Sequence, residues 1–385
     1  MPRLRQGYGG QAPQLFMKEI YLDHAATTYL DARVKEAMEP YWSEEFGNPS
    51  SLYRVGRRVK DALDQARETI ARILNCGPKE IIFTGGGTEA INLATFGVAR
   101  AYGQLPVTNT RGHIVISKIE HHAVLHSVEA LGKEGFEVTY LDVDEHGLIN
   151  PEDVRKALRP DTILVSIMYA NNEIGTIEPI EEIGKVVKEY REEKKKLAAS
   201  SGKPEANEKT PFFHSDACQA AGALDLDVQK LGVDLLAMNG SKIYGPKGVG
   251  CLYIRRGVRV QPLIYGGGQE NNLRSGTENV PGIIGFAKAL EIAHQEKERE
   301  NVRLIELRDY LTSRLLTEIP KVVLNGHPVK RLPNNVNASV LDIEGEAVIL
   351  YLDAKGIYIS TGSACASTSL DPSHVILAMG RPYEY

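Results

Sequence analysis

From residue 81 to residue 254 the chain alternates short apolar runs with stretches whose apolar residues recur at helical spacing. No other feature of the sequence narrows the choice of fold as far. Strands are predicted over 81–84, 114–117, 137–141, 163–168, 212–216, 233–238 and 251–254, and helices over 88–102, 122–133 and 180–196. Continuous apolar runs of this length suit strands covered on both faces. The pattern therefore calls for an α/β fold, a mostly parallel sheet sandwiched by helices. Upstream, Asp31 is placed to cap a helix running to residue 42. Val59, Leu63, Ala66, Ile70 and Ile73 mark one face of a second helix over 55–76.

Beyond Pro281 the character changes. A Glu- and Arg-rich helical stretch over 285–316 leads to strands at 335–340 and 357–360, which reads as a smaller α+β domain. We assign 33–280 to the large domain, and 17–32 with 281–385 to the small one. Residues 1–16, rich in Gly, Gln, Arg and Pro, lack the apolar core of a signal peptide and read as a disordered leader. Residues 191–210 read as a helix end running into a flexible insertion.

Composition works by exclusion. With 42% hydrophobic residues, 25% charged and a net charge of −5, the chain is an ordinary globular one with no bias toward nucleic acid or an anionic membrane. It has no apolar run of about 18 residues that could span a bilayer. Cys76, Cys218, Cys251 and Cys365 are scattered, without a Cys-x-x-Cys pair. That usage fits a reducing, cytoplasmic compartment better than a disulfide framework or a zinc site.

Polar residues collect at the carboxyl ends of the predicted strands, where open α/β sheets bind ligands. After the first comes Thr84-Gly85-Gly86-Gly87-Thr88-Glu89, a turn whose backbone N–H groups can meet an anion at a helix start. It lacks the Gly-Lys-Ser/Thr ending of a nucleotide P-loop. Later ends carry Glu120-His121-His122, Asn171-Asn172-Glu173, and Asp216 with Gln219. The last of the set is Lys242, in the turn Asn239-Gly-Ser-Lys-Ile-Tyr-Gly-Pro-Lys-Gly, where small neighbours box the amine in. Desolvation there lowers an amine's pKa and makes it a nucleophile or base. Each feature alone is equally a turn, a cap or a surface residue. Together they form the equipment for pyridoxal phosphate, with a lysine for a Schiff base, a carboxylate for the ring nitrogen and a helix start for the phosphate.

With these segments the chain resembles the cysteine desulfurases of the class V aminotransferase family, which have the fold type I architecture of pyridoxal phosphate enzymes. Further matching stretches are 21–28, 46–50, Arg274-Ser275-Gly276-Thr277 and Ser363-Ala364-Cys365. The resemblance implies that Lys242 carries the cofactor and Asp216 pairs with its pyridinium. It implies that Gln219 bonds the phenolic oxygen, and that His121 stacks on the ring and moves protons. Gly87 and Thr88 hold the phosphate, and Asn172 orients substrate and cofactor. Thr277 reaches the phosphate of the other subunit, which implies a homodimer with shared sites. Asn239 and Ser241 stand where serine and histidine are usual; both can still hydrogen-bond phosphate.

The implied reaction converts L-cysteine to L-alanine. Lys242 removes the α-proton, the ring absorbs the electrons, and the Cys365 thiolate takes the sulfur as a persulfide. Sulfur then passes to an acceptor such as an iron–sulfur scaffold, for cluster assembly and tRNA thiolation. The stretch 360–369, almost wholly small residues, reads as the loop that carries Cys365, which the family also implies as a transient iron–sulfur ligand. Family members continue beyond the position matching Tyr385, through a strand bearing the arginine that grips the substrate carboxylate, and Arg381 does not match that arginine's context. The expectation is a chain that binds cofactor but turns cysteine over poorly. A selenocysteine lyase, another class V enzyme, or a cofactor-binding scaffold with little turnover are the alternatives.

Overall fold

The computed structural model of the chain describes residues 19–103, 111–201, 211–362 and 372–382. The leader at 1–16, residues 202–210 of the expected insertion, and Cys365 lie outside the described residues. The chain starts with β1 (Ile20–Tyr21), then α1 (Ala32–Met38), α2 (Pro40–Ser43) and α3 (Arg54–Ile73). Asp31 caps α1 by accepting the Arg33 N–H at 2.8 Å. Pro40 then opens α2, so the single helix expected to residue 42 is two. Val59, Leu63, Ala66 and Ile70 of α3 are buried, as their spacing requires.

The alternating region follows in order: β2 (Ile81–Thr84), α4 (Gly87–Tyr102), β3 (His113–Ser117), α5 (His122–Lys133), β4 (Glu137–Leu141), α6 (Pro151–Ala157), β5 (Thr162–Ser166), α7 (Ile180–Ser201), β6 (Phe212–Asp216), α8 (Val228–Leu231), β7 (Leu235–Asn239) and β8 (Gly250–Ile254). The seven strands form one sheet in the order β2-β8-β7-β6-β5-β3-β4. Six run the same way; β8 pairs antiparallel with both β7 and β2. Its reversal has a covalent cause, since the link from Asn239 to Gly250 is too short for the crossover that a parallel strand needs. Side chains along each strand alternate between two apolar layers. Ile81, Phe83, Val115, Leu236 and Met238 enter the core under α1, α3 and α7. Ile82, Ile114, Ile116, Leu235 and Ala237 enter the core under α4 and α5.

The last part holds α9 (Val280–Glu318), the antiparallel pair β9 (Val322–Leu324) and β10 (Ala338–Val340), α10 (Gly345–Asp353), β11 (Ile357–Tyr358) and α11 (His374–Ala378). The helix expected at 285–316 is one unbroken 39-residue element capped by Asn279. Its first turns bury Ile283, Phe286 and Leu290 in the core shared with α3, and the rest runs out to β9. β1 pairs in parallel with β11, which joins the two chain segments expected to form the small domain. α11 lays Val375, Ile376 and Met379 on Ile119, Met168 and Ile174, at the carboxyl ends of β3 and β5.

Two expectations are corrected here. Helix α7 continues through Ser201, five residues beyond the helix expected over 180–196. Arg191 pairs with Asp234, and Lys194 donates to the Pro160 carbonyl at 2.9 Å. Asp234, read as the second residue of a strand, precedes β7 and is 2% exposed. Its carboxylate meets Arg191, Arg255 at 3.2 Å and the Phe213 N–H at 2.8 Å. Replacing it by alanine strands two guanidinium groups and a buried amide. Asp234→Ala is expected to lower unfolding free energy by about 3 kcal/mol, read from a urea titration.

Candidate active site

One cavity of about 600 Å³ opens at the carboxyl ends of the parallel strands, where the chain order reverses about β3. Gly87, Thr88, His121, Asn172, Asp216, Gln219, Asn239, Ser241 and Lys242 all line it. Thr277 is exposed and lies outside the lining.

The β7–β8 turn sets Lys242. Thr28 holds that turn from the side: its N–H and hydroxyl both donate to the Ser241 carbonyl, at 2.9 and 3.1 Å. The Tyr244 N–H donates back to the Thr28 hydroxyl at 2.8 Å. The Lys242 ammonium donates to the carbonyls of Ala25, at 2.7 Å, and Ala26. Gln219, placed one turn beyond β6, donates to the same Ala25 carbonyl at 3.0 Å. Residues 23–28, more than two hundred positions from Lys242, thus form one wall.

Asp216 ends β6 and is 5% exposed. It accepts the Cys218 N–H at 2.9 Å, a local turn that fixes its carboxylate toward the cavity. His121 caps α5 by accepting the Ala123 N–H on Nδ1 at 3.0 Å. Burial holds this imidazole below its usual range, against the opposing pull of the Asp216 carboxylate. With Nδ1 used as an acceptor, the neutral ring carries its proton on Nε2. Its neighbour His122 packs against His126 and His374, tilted and edge-on, at 5.2 and 4.8 Å between ring centres.

Asn171 and Asn172 divide the labour of their turn. Asn171 is fully buried; it donates to the Ile119 carbonyl and accepts the N–H groups of Glu173 and Ile174. Asn172 is thereby left on the cavity side. At the glycine turn, Gly86 has φ of 145°, a conformation closed to most side chains. A Cβ on Gly87 would lie 2.6 Å from the Cys218 sulfur and 3.0 Å from the Asn239 amide nitrogen. Only glycine lets the start of α4 sit this close to the floor.

Residues passed over in the sequence also enter the wall. Asp23 lines the cavity and accepts the Ser360 hydroxyl at 2.9 Å, and Ser360 lines it too. Cys218 lies between Asp216 and Gln219; burial and the adjacent Asp216 hold its thiol far above the thiolate range. Burial likewise raises Cys251, and Cys76 to about 12. None of these three is set up as a nucleophile. Among the described residues, no cluster of three or more His, Cys, Asp or Glu is arranged to hold a metal.

A family model described as aminotransferase class V matches residues 20–193 and 203–381. The chain belongs to the class V aminotransferase family. Cysteine desulfurase IscS of Dictyoglomus turgidum is 51% identical to it, across 95% of this chain and 87% of that protein. Cysteine desulfurase IscS of Methanosarcina thermophila is also 51% identical, across 95% and 85%. Among solved structures, a NifS-like protein has a TM-score of 0.83 at 38% identity, covering 94% of this chain and 90% of that one. SspA in complex with cysteine gives 0.76 at 35%, covering 95% of each. Within its family the chain therefore groups with the cysteine desulfurases.

That family depends on pyridoxal phosphate, and the residues of this cavity fit the group. The amino end of α4 leaves its first N–H groups without helical partners, beside the Thr88 hydroxyl and the Asn239 amide. The Asn239 carbonyl oxygen is buried with no partner among the described residues, so this side chain is free to turn its amide toward a ligand. Asp216 supplies an anion for a protonated ring nitrogen, and Lys242 an amine for an aldehyde.

Proposed function

We propose that this protein is a cysteine desulfurase, which takes the sulfur of L-cysteine as an enzyme persulfide and releases L-alanine for iron–sulfur cluster assembly and tRNA thiolation. The observation that carries the proposal is the meeting of Lys242, Asp216, His121 and the amino end of α4 in one cavity. Pyridoxal phosphate, bound there, supplies an electron sink for the α-carbon of an amino acid. Gly87, Thr88, Asn239 and Ser241 hold its phosphate and Asp216 its ring nitrogen. Gln219 holds the phenolic oxygen, and His121 covers the ring face. Lys242 attaches it, and its Nζ then serves as the base that takes the substrate's α-proton. Neutral His121, with its proton on Nε2, is a donor able to return a proton within the same cavity.

The sulfur acceptor is Cys365. Support for this comes from the chemistry of the other three cysteines, which are all held as thiols by burial. Thr277, exposed on this chain, reaches the phosphate at the second site of a homodimer. The persulfide then passes to an acceptor protein in the cytoplasm. Among the described residues no helix is long and apolar enough to cross a membrane.

The test is alanine release from L-cysteine, and sulfide release by an added dithiol that reduces the persulfide, with pyridoxal phosphate present. Cys365→Ser is expected to lower sulfide release by at least about 10²-fold while leaving cofactor uptake unchanged. Full activity in that variant sinks the assignment of Cys365. Selenocysteine as competing substrate separates the lyase alternative.

A further inference from the structure

The glycine turn at the start of α4 is not held by its own backbone alone. Glu89, in the first turn of α4, reaches back so that its Oε2 accepts the Gly85 N–H at 2.8 Å. Its Oε1 accepts Arg274 Nε at 3.0 Å, in a pair whose side chains are about one-quarter exposed. A Cβ on residue 85 would lie 2.6 Å from Glu89 Oε2 and would push the carboxylate off the turn. Glu89 also lines the cavity.

This arrangement carries an electrostatic conflict. The amino end of α4 attracts anions, and Glu89 places a carboxylate at that end, beside the position proposed for a phosphate. Two anions on one helix turn repel, and in a half-buried site the repulsion is little screened. Glu89 fixes the turn but works against its ligand unless a cation offsets it. Arg274 is the cation, and it is held in place rather than left to drift. The segment before it runs through three consecutive left-handed residues, Glu270, Asn271 and Asn272, with φ of 47°, 57° and 65°. Such a run persists only where its surroundings enforce it. Here Glu270, 7% exposed, accepts the Phe83 N–H at 2.8 Å and pairs with Arg67 at 2.6 Å. The segment is thus fastened to β2 at Phe83 and, through the Glu89–Arg274 pair, to the turn that follows β2.

We propose that Glu89 and Arg274 are positioning residues for phosphate binding: Glu89 tethers the Gly85 backbone, and Arg274 cancels the charge that the tether brings to the anion site. The inference rests on the reading of this cavity as a pyridoxal phosphate site. It makes an unusual demand, that removing the second charge of the pair should undo the damage of removing the first.

The experiment measures equilibrium binding of pyridoxal phosphate and of pyridoxal, which lacks the phosphate, to the cofactor-free full chain by absorbance titration. Arg274→Gln is expected to weaken pyridoxal phosphate about tenfold. Glu89→Gln keeps an acceptor for Gly85 and loses the charge, so affinity should stay within about twofold of the parent. The double variant should recover to within about threefold of the parent, and pyridoxal should bind all forms alike. A double variant as weak as Arg274→Gln overturns the proposal, as does a parallel loss for pyridoxal. If Arg274→Gln does not fold, Glu89→Ala decides: it must lose phosphate-dependent affinity that Glu89→Gln retains, and equal affinities contradict the tether. A parent protein that takes up no pyridoxal phosphate overturns the cofactor reading as well; uptake without this pattern overturns the positioning role alone.

Discussion

Lys242→Ala is expected to abolish alanine formation from L-cysteine, lowering turnover by at least about 10³-fold. The amine is assigned both the attachment of the cofactor and the removal of the α-proton, and alanine offers neither. The loss should be confined to chemistry. Lys242 Nζ donates to the backbone carbonyls of Ala25 and Ala26, and its side chain is not part of either main apolar layer. The unfolding midpoint should therefore move little while turnover collapses. A variant with substantial turnover would mean that another group takes the proton and that the cavity has been misread.

Asp216→Asn should lower turnover by about 10²–10³-fold while cofactor uptake persists. The substitution keeps shape and one acceptor, so the Cys218 N–H that meets Oδ1 at 2.9 Å retains its partner. It removes the negative charge, the property that keeps a pyridine nitrogen protonated and makes the ring an electron sink. The Asp216 carboxylate also opposes the effect of burial on His121. In the asparagine variant that opposition disappears, and His121 should titrate at lower pH than in the parent, which NMR of the imidazole can read. Unchanged turnover would show that ring protonation does not depend on this residue.

Much of the architecture was legible because strand and helix periods are local properties. Ile81–Thr84 and Phe212–Asp216 matched their predicted bounds, and α5 began at His122 as expected. The direction of β8 was not legible from apolar content, since parallel and antiparallel buried strands have the same composition; the short link from Asn239 carries that information instead. α6, seven residues opened by Pro151, is too short for its period to stand out. The full extent of α9 is not legible, because its mixed charge gives no clean apolar stripe to mark its ends; capped by Asn279, it begins at Val280, five residues upstream of the expected start at 285.

The site divides in the same way. Lys242, Asp216, His121 and the glycine turn could be found because each sits at the end of a strand, where α/β sheets place their ligands. Asp23, Ser360 and the Glu89–Arg274 pair depend on contacts between distant segments. Asp23 and Ser360 are separated by most of the chain, and their 2.9 Å hydrogen bond follows from the pairing of β1 with β11. In the sequence Glu89 ends the glycine motif, and Arg274 opens the stretch leading to Thr277. Nothing in either stretch says that they meet. Cys218, between Asp216 and Gln219, has no sequence signal of its own, and its thiol packs directly beneath Gly87.

The central claim is that Lys242 holds pyridoxal phosphate in this cavity. Borohydride reduction of the protein saturated with pyridoxal phosphate, followed by peptide mass mapping, tests it most directly. The expected result is a single pyridoxyl-phosphate adduct on Lys242, formed in full by the parent and lost when L-cysteine is added before the reductant. An adduct spread over surface lysines, or one on Lys242 that cysteine does not displace, would contradict the account.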